Sequence, residues 1–154
     1  MTKFLLAVHV LAAIIAIGPV TVAASMFPAA VRRAVASPAG PATVRTLHRI
    51  CRVYAVIAVV VPASGFATAK SLHVLGSAWL ITSIALTALA AVVLGGLVLP
   101  LQEATLDALD APAGPPESAD RTSRQLALYT GVFNLLWATV TVLMIIRPGS
   151  TTGA

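Results

Sequence analysis

A chain of 154 residues that is 58% hydrophobic and 10% charged, with a mean hydropathy of +0.95, has more apolar surface than it can hide from water by folding on itself. Its net charge of +5 comes from ten Lys and Arg against five Asp and Glu. The bases stand beside long apolar runs, where they set topology and meet anionic lipid, and this excludes reading the charge as nucleic-acid binding.

Crossing a hydrocarbon core takes roughly twenty apolar residues, and the sequence offers four such runs. The first covers about residues 4–31 and opens with "FLLAVHVLAAIIAIGP", in which His9 is the one titratable side chain. The small residues of "TVAAS" (Thr21 to Ser25) resemble a leader cleavage site. Apolar character continues through Met26, Phe27 and Val31, longer than a leader core, so a retained span is expected.

The turn "SPAGPAT" (Ser37 to Thr43) ends that helix. The second run, 53–69, is preceded by Arg45, Arg49 and Arg52 at i, i+4, i+7, with Leu47, Ile50, Cys51 and Tyr54 forming the opposite apolar face. Gly18 and Pro19 in the first span, and Pro62 with Gly65 in the second, should bend both helices.

The third run, 72–101, is followed by Glu103, Asp107 and Asp110, again at i, i+4, i+7. A second turn, "APAGPPES" (Ala111 to Ser118), precedes the fourth run, 126–146. With no water in the bilayer to satisfy backbone groups, and with strand alternation and hairpin signals missing, each run must be helical. The fold class is therefore all-α, a four-transmembrane-helix bundle in one integral membrane domain over residues 1–154, with no internal repeat.

Lys and Arg in short connections stay on the cytoplasmic side. Connections 32–52 and 102–125 hold Arg32, Arg33, Arg45, Arg49, Arg52, Arg121 and Arg124, whereas the other side holds Lys3, Lys70 and Arg147. Both termini should thus lie outside a plasma membrane. The second span rises from the basic side and the third returns to it, so the stripes match in antiparallel register: Arg52 beside Glu103, Arg49 beside Asp107, Arg45 beside Asp110. The alternative is that the arginines face the phosphates of anionic lipid headgroups while the acids face water.

Cys51 is the single cysteine, so no intrachain disulfide can form, and it reads as a small buried hydrophobe. No nucleophile elbow, phosphate-binding glycine loop or zinc-spaced histidines occur. All five acids, Glu103, Asp107, Asp110, Glu117 and Asp120, fall in one connection, which disfavours an ion-coupled transporter or proton pump, since these usually place an ionisable group within the membrane.

At membrane depth remain His9, Asn134 and the hydroxyls of Tyr54, Thr87, Tyr129, Thr130 and Thr141. Thr130, Asn134, Trp137 and Thr141 make one polar stripe on the fourth span. Ser83, Thr87, Ala91 and Gly95, at strict i+4 steps, make a small-residue groove on the third, and both stripes read first as packing faces. His9 and His73 both fall toward the outer side. Together they form the candidate pair for haem b or a transition metal, against the simpler reading of His9 as a helix-packing donor. His48 belongs to the other face.

The spans "LLAVHVLAAIIAIGP" and "GSAWLITSIALTALAAVVLGGLVLPLQEATLDAL", separated by a basic loop, resemble a family of small four-span bacterial integral membrane proteins of unknown function. More distantly, "HVLAA" at the start of a first span is similar to HemJ-type protoporphyrinogen oxidases and CopD-type copper-resistance membrane proteins. That resemblance implies haem or metal handling at His9 alone. HemJ-type proteins also use a membrane-embedded lysine, whereas Lys70 here stands at a span boundary.

The expected function is a non-enzymatic packing or accessory subunit, contacting a membrane-protein partner or copies of itself. The alternative is a haem- or metal-binding membrane protein using His9, followed by a carrier of a small lipophilic ligand in the space that the bends open.

Overall fold

The computed structural model describes residues 2–34, 40–111 and 119–149, and every regular element among them is a helix. Residues 37–39 of the first proline-rich turn, residues 112–118 of the second (Glu117 among them) and the side chain of Asp120 lie outside the described residues. Gly40 to Thr43, expected in the first turn, already form the start of α2, where Pro41 in the first helical turn needs no N–H partner. The elements are α1 (Thr2–Ala34), α2 (Gly40–Ile57), α3 (Val60–Ser71), α4 (Ala78–Val93), a π-helical turn (Leu94–Val98), α5 (Leu99–Asp110) and α6 (Ala119–Ile146).

They form four rods long and apolar enough to cross a membrane: Lys3–Ala34, Gly40–Ser71, Ala78–Asp110 and Arg121–Ile146. A rod of 32 residues is about 48 Å long, against a hydrocarbon core of about 30 Å. The excess is the amphipathic part, α2 before Val53 and α5 after Leu101, which carries the charge stripes.

The second rod is interrupted one turn before its proline. Pro62 has no N–H to give the Ala58 carbonyl. That carbonyl instead accepts from Val61 N at 3.0 Å, and Val56 O accepts from Val59 N at 3.2 Å, so bonds to the third residue tighten the chain between α2 and α3. In the third rod Pro100 likewise cannot serve the carbonyl of Gly96, and the chain widens there into the π turn. The first rod stays helical through Pro19 and also through Pro28.

Helix α1 packs against α2, α3 and α6, α6 lies against α4, the π turn and α5, and α2 meets α5. One core cluster joins these elements toward the basic end, with Val20, Phe27, Val44, Cys51, Val98, Leu126 and Phe133 at most 1% exposed. A second, small cluster of Ala69, Trp79 and Leu80, with Val74 and Met144 against it, closes the opposite end.

Candidate functional site

His9 sits two turns into α1 and is buried. Its Nδ1 lies 3.1 Å from the carbonyl of Val61 and 3.2 Å from Ser64 Oγ. A carbonyl only accepts, so Nδ1 carries the proton and donates. Ser64 in turn donates to the same carbonyl at 3.0 Å.

The ring can approach α3 because residue 65 is glycine. A Cβ there would stand 2.8 Å from His9 Cε1, closer than real Cβ atoms come, and a tight 3.2 Å from Nδ1. Sequence reasoning took Gly65 as part of a bend, and the structure gives it the further task of seating the imidazole. Both hydrogen-bond contacts use Nδ1, which leaves Nε2 with its lone pair.

His73 stands eight residues beyond Gly65, about 12 Å farther along the axis at 1.5 Å per residue. It is exposed, in the turn between α3 and α4. Its φ of 57° is left-handed, Val74 N donates to Ala69 O and His73 N to Lys70 O, both at 3.2 Å, and Val74 packs near Ala69. This is a Schellman cap with histidine where glycine is usual. His73 therefore ends a helix, a role that the sequence signalled only by the polar stretch around it. Among the described residues no group of three or more His, Cys, Asp or Glu is placed to hold a metal ion.

At the basic end, Gln102 is wholly buried between α2 and α5. His48 Nδ1 lies 3.1 Å from its Oε1, and its Nε2 donates to Cys51 Sγ at 3.7 Å. Sequence reasoning missed Gln102. Its signal was the spacing Val98, Gln102, Thr105, which extends the buried face of the third rod into the amphipathic part at i, i+4, i+7.

Beside this junction Arg45 pairs with Asp110, both side chains half exposed. The two inner registers do not close: among the described residues neither Arg49 with Asp107 nor Arg52 with Glu103 comes within ion-pair distance. Arg49 and Arg52 instead continue the exposed stripe of Val53, Val56 and Ile57. At the other end Arg147 covers the Trp79 ring, 5.8 Å from its centroid.

On α6, Asn134 Nδ2 donates to Ser25 Oγ of α1 at 3.1 Å, and Thr141 is exposed and returns its hydroxyl to its own helix at Trp137 O. Thr130 Oγ1 and Asn134 Oδ1 are buried with no partner among the described residues. On α4, Ser83 is buried and bonded to Trp79 O, Thr87 is half-buried and Ala91 is exposed, as is Gly95 in the π turn that follows. The physical reason is geometric: an i+4 step turns about 40° beyond a full circle. Four such residues therefore wind off the face along which Trp79, Ser83, Ala90, Val93, Leu94 and Val98 are buried.

These features define the class: an all-helical integral membrane protein with four spans, in which His9, Gln102 and Asn134 bond across helix junctions. The chain belongs to the family of predicted integral membrane proteins DUF2269, whose model matches residues 3–148. No curated protein and no solved structure matches it.

Proposed function

We propose that this protein is a non-enzymatic packing or accessory subunit of a bacterial plasma membrane, with both termini outside, that docks through the Ala91–Gly95 face of its third span. The observation that carries the reading is that this face is left open. Ala91 and Gly95 are exposed, and a Cβ added at Gly95 or Gly96 would meet nothing within 4 Å. Small residues allow close backbone approach between helices, and here the protein's own bundle does not use them. The orientation is supported by the seven Lys and Arg at one end of the bundle against three at the other.

The test is oxidative crosslinking in native membranes of Gly95→Cys and Ala91→Cys, each in a Cys51→Ala background, alongside Val132→Cys on exposed α6. A crosslinked band specific to the third span is expected, and Gly95→Leu should abolish association. A band at twice the chain mass identifies a second copy, and any other discrete mass a partner subunit. Equal crosslinking at all three positions would refute the docking face.

A second reading is favoured by one observation, the free lone pair on Nε2. An imidazole held through Nδ1–H to a carbonyl is arranged as metal-bound histidines are, and Nε2 of His9 is the atom that would ligate haem b or a metal. His73, exposed and about two turns away, would reach the same ligand only if that ligand bridged the distance. Reduced-minus-oxidised spectra of wild type and His9→Ala decide this reading: a haem signal lost in the variant supports it, and a colourless wild type expressed with haem available rejects it.

A further inference from the structure

Arg49 and Arg52 are one turn apart on one exposed face of α2, and among the described residues no carboxylate pairs with either, Asp107 and Glu103 of α5 included. With Val53, Val56 and Ile57 they line an open groove of about 470 Å³. The three apolar residues are 47%, 70% and 42% exposed. Among the lining residues there is no acid.

The groove thus has a cationic head and an apolar tail. Its head lies where the amphipathic part of α2 gives way to the apolar run 53–69, the level at which lipid phosphates meet hydrocarbon. Its tail runs from there into the span. We infer that this groove is a binding site for one anionic phospholipid, its phosphate held by Arg49 and Arg52 and an acyl chain lying along Val53, Val56 and Ile57.

The chemistry selects that ligand. Guanidinium forks match phosphate oxygens with paired hydrogen bonds. A soluble anion would satisfy the head and leave the apolar tail unused. A zwitterionic lipid would bring its own cation against two guanidinium groups. The site lies on a different rod from the Ala91–Gly95 face and stands or falls independently of it.

The test is native mass spectrometry of the delipidated full chain in detergent, titrated with phosphatidylglycerol or with phosphatidylcholine of the same acyl chains. Wild type should hold one phosphatidylglycerol at about tenfold lower concentration than phosphatidylcholine. Arg49→Gln with Arg52→Gln should remove that preference, Arg49→Lys with Arg52→Lys should keep part of it, and Arg45→Gln, at the residue paired with Asp110, should leave it unchanged. An unchanged preference in the double Gln variant, confirmed as folded by its helical spectrum and a monodisperse gel-filtration peak, would overturn the assignment. So would equal binding of the two lipids. Displacement of the lipid by equimolar glycerol phosphate would show a free-phosphate site instead.

Discussion

The two halves of the bundle are built differently. Toward the basic end Val20, Phe27, Val44, Cys51, Gln102 and Val98 are wholly buried, and four rods share one apolar core. Toward the opposite end Phe4, Leu11, Ile14, Ile15, Phe66, Ile145 and Ile146 are each at least 57% exposed, and His9 is the buried residue that α1 turns toward α3 there. Part of the difference follows from the solvent. Water drives the burial of Val44 and Cys51, on the amphipathic part of α2 that extends past the bilayer, whereas Val20, Phe27 and Val98 lie within the apolar runs, where lipid tails are as apolar as leucine and close packing alone buries them. Inside lipid a polar group without a partner is the costly thing, so a single imidazole on a carbonyl can fix what a core fixes elsewhere.

Substitutions can break this comparison. The largest effect is expected from Phe27→Ala, which empties the shared core: unfolding by dodecyl sulfate in mixed micelles should show a loss of about 3 kcal/mol. Gly65→Ala places a methyl group against the His9 ring and should cost about 2 kcal/mol, the overpacking range. An unchanged midpoint would mean that the ring is not seated there.

Gln102→Leu removes the acceptor of His48 and the donor to Cys51 while keeping bulk, and should cost about 1 kcal/mol in the same assay. The smallest effect has the opposite sign. His73→Gly relieves a left-handed residue in an exposed cap and should stabilise by up to about 1 kcal/mol, whereas His73→Val at that φ should destabilise. Equal midpoints for these two variants would remove the strain argument.

Particular residues show what the sequence could carry. Run length and hydropathy alone led to four helical spans, because the bilayer dictates both. The extension of α2 and α5 beyond the membrane was legible in the charged stripes, and the polar junction at Gln102 was not, because one amide on an apolar face looks like any exposed glutamine until its partner helix is known. His9 was legible as a polar group at depth. Its partners were not, since the Val61 carbonyl is a backbone group and any residue can supply one. Gly65 was noticed for its effect on helix bending, and its clearance for the ring depends on which rods are neighbours. The groove of Ser83, Thr87, Ala91 and Gly95 was spaced correctly for close contact, but its drift around α4 separates a buried start from an exposed end, and that drift decides which residues remain open to a partner.

The most direct measurement of the claim that His9 pins the thinly packed half is the effect of Gly65→Ala in two backgrounds, wild type and His9→Ala, by reversible unfolding in mixed micelles. With the ring present the added methyl should destabilise. With the ring gone the same methyl should stabilise, since alanine is favoured over glycine in a helix by about 1 kcal/mol. A reversal of sign is the predicted result, and the same change in both backgrounds would contradict the account.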